Sequence, residues 1–403
     1  MKSTRAHRAP FRSASPFVLV LASAALFAVN ACASDEELGR ELPLDAGSAA
    51  DTALPPAVDA DVGAEAPDGA SDAGVDAAPQ TCSGQGFCHV PLPEPLRLRG
   101  LWGDGTGVVW AVAEEGKILR WDGSAWTIHA SVTGALYTIW GSGPTDIYVG
   151  GERGILHGAG PSSAQLAFTV IGSDDDASIT SIQGFGPNDV WAVGSRIEGE
   201  MEESRVLHYT GPTGDPATEW RLDPIAEQGT VFSRVWGSSP DDVWLGSSGG
   251  VVMHGRSDGD GGTSFESVLV GSGIFDRINR VAGGAALDEV FIVGENRNAI
   301  GFVWIGPRDG SDAGPRIFTG DDFGTGYGLN AVWGTSKSDV WIAGNGGRVF
   351  HWDGTSWSVG GVSITKFPLL KDLHAVWGSS NGELWIVGDE IALRKSLVVG
   401  GKK

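Results

Sequence analysis

Beyond residue 97 short apolar runs are broken at close intervals by Gly, Ser and Asp, and one ten-residue version of this pattern keeps returning. It reads LWGDGTGVVW at 101–110, IWGSGPTDIY at 139–148, IQGFGPNDVW at 182–191, VWGSSPDDVW at 235–244, VWGTSKSDVW at 332–341 and VWGSSNGELW at 376–385. Another copy, VAGGAALDEVF at 281–291, carries one extra residue. Aligned on their last aromatic residue (Trp110, Tyr148, Trp191, Trp244, Phe291, Trp341 and Trp385), the seven copies lie 38 to 53 residues apart. The sixth copy predicts four strands, Leu329–Gly334, Asp339–Ala343, Arg348–Trp352 and Ser356–Val359, with turn residues between them.

A period of this length built from four short strands, with no sustained helical periodicity, belongs to the blades of a β-propeller and excludes a helical solenoid. Seven such sheets set radially close a ring and leave only short edges exposed. The first copy begins at its own first strand, near Leu98, whereas the last stops after its third, because nothing beyond Arg394 reads as a turn and a fourth strand. The segment His89 to Leu96 is therefore expected to supply the missing outer strand. Its three prolines are tolerable only on a strand with one free edge.

The start of the chain has a different character. Lys2, Arg5, Arg8 and Arg12 precede an apolar stretch from Phe17 to Val29, which reads as a secretory signal peptide over 1–31. The run Val29-Asn30-Ala31-Cys32 resembles the lipobox of bacterial lipoproteins, a resemblance that implies lipidation of Cys32 as the first residue of the mature chain. Ala33 in place of Asp favours the outer membrane in a Gram-negative host. Residues 33–80 hold 13 Ala and 12 acidic residues with one Arg and no aromatic residue, so they cannot bury enough apolar area to offset their ordering entropy. This lipid-anchored, disordered linker, 32–80, would reach roughly 40 Å as a flexible coil. Cys82 and Cys88 follow within a segment, 81–96, that leads into the repeats, and in an exported protein they are expected to form a disulfide. Two thiols with only His89 beside them fall short of the four ligands of a structural zinc site. The expected fold is thus all-β: a seven-bladed propeller over 97–396, preceded by signal peptide and linker.

The repeats VWGSSPDDVW and HWDGTSW resemble a group of bacterial exported lipoproteins with propeller repeats, and more distantly the Asp-box propellers that include sialidases. The resemblance covers about 300 residues. In those families the Trp-Asp-Gly turn, seen here at Trp121-Asp122-Gly123 and Trp352-Asp353-Gly354, is a fold element away from the active site. A sialidase would also show an Arg-Ile-Pro motif, which does not occur here. The resemblance therefore implies architecture, and propellers host many unrelated chemistries.

Composition narrows the partners. With 28 Lys and Arg against 50 Asp and Glu the formal charge is −22, which disfavours a nucleic-acid partner held through phosphates. All 16 Trp lie beyond residue 100, inside the repeats. Four of the eight His (His157, His208, His254 and His351) share one repeat position on the third strand, where the ring holds them apart, so they cannot share a small metal ion. Asp146, Asp189, Asp242, Glu289, Asp339 and Glu383 recur two residues before the second-strand aromatic and are expected to accept turn amides. The first-strand residues Trp102, Trp140, Trp236, Trp333 and Trp377 are expected to pack between blades.

Residues that break the repeat are the better binding candidates, since binding loops ride on a rigid scaffold. The longest departure, Ser195 to Ser204, carries Glu198, Glu200, Glu202 and Glu203 and reads as a solvated acidic loop or as the candidate contact for a cationic partner or a divalent ion. Asp258, Asp260 and Gly262 read as a turn, and the insertion Ile305 to Arg316 carries no assignable chemistry. No catalytic constellation, cofactor or metal site is expected. The sequence points to an envelope-anchored, monomeric, non-enzymatic propeller that binds a protein or glycan. The rival is a polysaccharide-acting glycoside hydrolase or lyase on the same scaffold, its acids gathered near the central axis from several blades.

Overall fold

The computed structural model describes residues 81–171, 177–259, 261–270, 277–282, 289–296, 298, 300–309, 314–323, 326–379 and 382–397. The signal peptide, Cys32 and the linker to residue 80 lie outside them, as does Asp260. Seven antiparallel four-stranded sheets form the blades of a β-propeller. Blade 1 runs Leu98–Gly103, Val109–Ala113, Lys117–Trp121 and Trp126–Ser131 from the axis outward. Blades 2 to 6 repeat that order, their innermost strands being Leu136–Gly143, Ser178–Gly186, Phe232–Ser239, Arg277–Ala282 and Leu329–Ser336. The sixth blade matches its predicted strands to within two residues, as Leu329–Ser336, Asp339–Gly344, Val349–Trp352 and Trp357–Val359.

Blade 7 takes Leu373–Gly378, Glu383–Gly388 and Ile391–Ser396 from the end of the chain and its outermost strand, Cys88–His89, from the beginning. Cys88 stands opposite Arg394 and His89 opposite Leu393, and Val90 N donates to Ala392 O at 2.8 Å. The paired strand thus overlaps the expected segment at His89 and begins one residue before it, at Cys88. Pro91, Pro93 and Pro95 have no N–H to give and run outside the ladder until Leu96 O accepts from Glu390 N at 2.8 Å. The Cys82–Cys88 disulfide braces this strand. Phe87, fully buried, meets Trp341 of blade 6 edge-on at 5.8 Å.

Contacts between blades follow from the repeat. The first-strand Trp of one blade covers the inner glycine of the next: Trp102 lies over Gly141, Trp140 over Gly184, Trp333 over Gly378 and Trp377 over Gly103. A Cβ on Gly141 would stand 2.8 Å from Trp102 Cη2, so only glycine admits the indole. Blade 3 has Gln183 at the Trp position, and Phe185 fills the place over Gly237 instead. The second-strand aromatics form the buried layer further out, and Trp385 of blade 7 packs against Trp121 and Trp126 of blade 1 at 5.1 and 5.4 Å.

The recurring acids have a different role from the one expected. They accept hydrogen bonds from side chains, not from turn amides. Asp146, Asp189, Asp242 and Asp339 lie 2.6, 2.8, 2.9 and 2.8 Å from Nε2 of His157, His208, His254 and His351. Each imidazole stacks on the second-strand aromatic, with ring centroids 4.6 Å apart for Tyr148–His157 and 3.9 Å for Trp191–His208. In blade 7 Arg394 stands at the histidine position and pairs with Glu383, whereas in blade 5 Ile305 stands there and Arg316 of the outermost strand reaches Glu289. The physical reason is partial burial: a carboxylate beside a packed aromatic is best satisfied by a donor that reaches it from another strand of the sheet. The insertion after Ile305 is also structural, because Arg308 crosses to Asp242 of blade 4 at 2.8 Å.

Candidate functional site

The seven innermost strands share one irregularity. In every blade the register against the second strand slips just after the strand begins, between Leu98 and Gly100, Leu136 and Thr138, Ile179 and Ser181, Phe232 and Arg234, Ile278 and Arg280, Leu329 and Ala331, and Leu373 and Ala375. A β-bulge of this kind leaves one residue out of the ladder and re-aims its side chain. Arg99, Tyr137, Thr180, Asn330 and His374 occupy the bulges of blades 1, 2, 3, 6 and 7 and line one mouth of the central axis. Glu114, Arg234 and Asn345 complete the described lining of a cavity of about 280 Å³.

Most of these polar groups are fixed in place. Arg99 Nε donates to Glu114 Oε1 at 2.7 Å, and Arg97 holds the other oxygen at 2.9 Å. Asn330 Nδ2 donates to Asn345 Oδ1 at 2.6 Å and to the carbonyl of Leu373 in the next blade at 2.9 Å. Arg234 Nη1 donates to the carbonyls of Ser233 and Thr180, bridging blades 4 and 3. His374 Nε2 lies 2.9 Å from Asp389 Oδ1. Burial and the nearby Arg99 charge push His374 below the ordinary imidazole value, so the ring is neutral at pH 7 and its Nδ1 is an acceptor. Burial, together with Glu152 and Glu114, pushes the Tyr137 phenol up and keeps it protonated as a donor. The mouth is thus a rigid ring of mixed donors and acceptors.

Below it the axis widens into a second cavity of about 330 Å³, with Arg234 shared between the two. Leu101, Ile139, Ile182, Val235, Val332 and Val376 wall this chamber, with half-buried edges of Trp102, Trp140, Trp236, Trp333 and Trp377. Among the described residues that line the two cavities Glu114 is the one carboxylate, and it is paired.

The candidates that break the repeat lie elsewhere. Glu198, Glu200, Glu202 and Glu203 sit on a long hairpin of blade 3, Asp189–Glu198 with Met201–Tyr209, which continues the second and third strands past the rest of the blade. Arg196 pairs with Glu198 and, at 2.9 Å, with Glu203, which Arg205 also contacts at 3.1 Å. The two guanidinium groups hold the Glu203 carboxyl below its usual range. Glu200 and Glu202 stay exposed at the tip beside Ile197 and Met201, which are 78% and 70% exposed. Cys82 and Cys88 are joined as expected. Asp258 closes a turn by accepting from Gly262 N at 3.0 Å. No group of three or more His, Cys, Asp or Glu among the described residues is placed to hold a metal ion.

Sequence reasoning passed over the mouth. Its signal was available as one repeat position, the residue at the register slip of each inner strand, that is polar or aromatic in every copy: Arg99, Tyr137, Thr180, Ser233, Asn279, Asn330 and His374.

A ring of seven blades with a structured axial mouth defines the class as a β-propeller. No protein-family profile and no curated protein sequence matches the chain. Among solved structures it is similar to YCF48 from Cyanidioschyzon merolae, at 15% identity and a TM-score of 0.60 over 77% of this chain and 99% of that one. It is also similar to YCF48 bound to D1 peptide, at 14% identity and a TM-score of 0.56 over 80% and 96% of the two chains. Virginiamycin B lyase from Staphylococcus aureus matches at 11% identity and a TM-score of 0.53 over 78% and 99%. At these identities the likeness shows the fold, and the three neighbours include both a peptide binder and a lyase.

Proposed function

We propose that this protein is an exported, lipid-anchored propeller that binds a protein partner at its axial mouth without chemical turnover. The observation that carries the reading is the bulge repeated in all seven blades, which brings polar side chains of separate blades to one opening. A ring of fixed donors and acceptors suits recognition of an extended polypeptide, whose backbone offers both kinds of group. A similar fold in complex with a peptide supports the same reading. Glycoside hydrolysis calls for two carboxyl groups facing each other across a substrate. The described lining offers Glu114 alone, already held by Arg97 and Arg99.

Anchoring rests on the signal peptide and on Cys32, since two or more acyl chains give stable membrane attachment. Two experiments test the proposal. Cys32→Ala is expected to move the protein from the membrane to the soluble fraction, and unchanged fractionation would remove the anchor. Affinity capture from the host envelope is expected to retain a saturable protein partner. A glycan ligand that is cleaved on incubation would replace the proposal with the enzymatic reading.

A further inference from the structure

The loop between blades 6 and 7 shows a feature that neither the repeat nor the mouth requires. Its sequence from 363 to 371 is SITKFPLLK. Phe367 and Leu370 are 78% and 75% exposed, while Leu369 between them packs onto the core of blades 6 and 7. The loop holds this display through its own hydrogen bonds: Ser363 Oγ donates to Thr365 O at 3.1 Å, and Thr365 Oγ1 accepts from Phe367 N at 3.2 Å. Leaving two large apolar side chains in water is unfavourable, and the loop is built to present them rather than to fold them in.

Charge and position indicate what covers them. In a chain of net charge −22 the exposed apolar pair is flanked by Lys366 and Lys371. Lys371 pairs with Glu390 at 2.6 Å, and Asp372 accepts from Gly346 N, whereas Lys366 meets no acid among the described residues. Residues 81–89 lie at the base of this loop. Thr81 and Ile364 line one cavity, Gln85 Oε1 accepts from Gly361 N at 2.8 Å, and His89 Nε2 lies 2.8 Å from Val362 O. A second exposed apolar pair, Ile197 and Met201, sits among Glu198, Glu200 and Glu202, which an anionic surface repels.

We propose that loop 363–371 rests on an anionic bilayer surface, with Phe367 and Leu370 entering the interfacial zone and Lys366 facing the lipid headgroups. The inference rests on the anchored reading, because a linker of roughly 40 Å reach keeps the loop close to the membrane and turns a weak contact into a persistent one. The loop lies on the same face as the axial mouth, since His374 of the mouth follows it directly in the chain. The contact would turn that mouth toward the bilayer, where extramembrane segments of membrane proteins lie.

The test uses the mature chain from residue 32 onward carrying Cys32→Ala, so that neither the signal peptide nor acylation contributes. It is sedimented with vesicles of phosphatidylethanolamine containing a minority of phosphatidylglycerol. Measurable binding is expected, weakened by at least about fivefold in F367S/L370S and also weakened in Lys366→Glu. The control I317S/V359S removes comparable exposed apolar groups from outermost strands and is expected to bind as the parent does. Thermal melting checks that each variant is folded. Absence of vesicle binding, or equal binding by F367S/L370S, overturns the proposal, and release of an envelope protein by that variant with vesicle binding intact reassigns the loop to a protein contact. Fractionation of wild type against Cys32→Ala reports on the anchor separately, so failure of one reading is not mistaken for failure of the other.

Discussion

At the scale of single residues the best-defined feature is the carboxylate of Asp242. Burial alone would raise it, but hydrogen bonds from His254, Ser238, Trp244 and Arg308 outweigh burial and hold it far below the usual carboxylate range. A depressed folded value means that the contribution to stability is complete above the unfolded value, near 3.8, and is lost as pH falls below it toward the folded one. The melting temperature of the wild type is expected to drop on acidification through this range, with Asp242→Asn showing a shallower drop. Parallel pH curves for the two would refute this role. At neutral pH Asp242→Ala is expected to cost about 2–4 kcal/mol, measured by denaturant unfolding, because it leaves buried donors without an acceptor. The two Trp-Asp-Gly turns behave differently. Asp122 accepts from Ser124 Oγ at 2.7 Å and from the amides of Ser124 and Ala125, which lowers it to about 2 while it remains exposed.

Residue identity told only part of this. His157, His208, His254 and His351 were legible as a structural set because equivalent positions in a ring cannot converge. Their partners were not, because the link from Asp146 to His157 is made across neighbouring strands, and sequence spacing alone points an Asp in that place to the turn beside it.

At the scale of the element, the contact between the Trp of one blade and the glycine of the next sets the spacing. Gly378→Ala would drive a methyl group into Trp333, and a loss of about 1–3 kcal/mol is expected, read from the shift of the denaturation midpoint. Wild-type stability in that variant would mean that the indole moves aside freely. The closing strand is short, two residues in the ladder, and leans on the Cys82–Cys88 loop. Replacing both cysteines by Ser is expected to cost about 2 kcal/mol, checked by unfolding under non-reducing conditions, as suits a six-residue separation.

Strand positions and the need for a closing segment were readable from the repeat, since every copy carries the same turn chemistry. The bulges were not. A bulge is a relation between two strands, and Arg99 or His374 read alone is one more polar residue in an alternating run. The acidic hairpin of blade 3 drew notice because it lengthens the chain, whereas the mouth changes no length at all.

At the scale of the whole molecule, seven near-equal units form a rigid ring in which function is confined to what differs between copies. The last blade is completed from the far end of the chain, so the fold is one cooperative unit. Deleting residues 82–96 is expected to lower the melting temperature sharply, while deleting 40–75 should leave it unchanged, because that stretch lacks the apolar content for a core. Similar melting of the two deletions would contradict the closure. Fold likeness cannot choose among functions here, since one neighbour was solved with a peptide and another is a lyase. The choice rests on the mouth.

The most direct measurement is therefore partner capture from the host envelope by the wild type and by a variant altered only at the mouth, Arg99→Ala with Tyr137→Ala. Glu266→Ala, on the outermost strand of blade 4, serves as the control. Binding weaker by at least about tenfold in the mouth variant, with the control unchanged and all three melting alike, is the predicted result. Equal capture by all three would place recognition elsewhere on the ring and contradict the account.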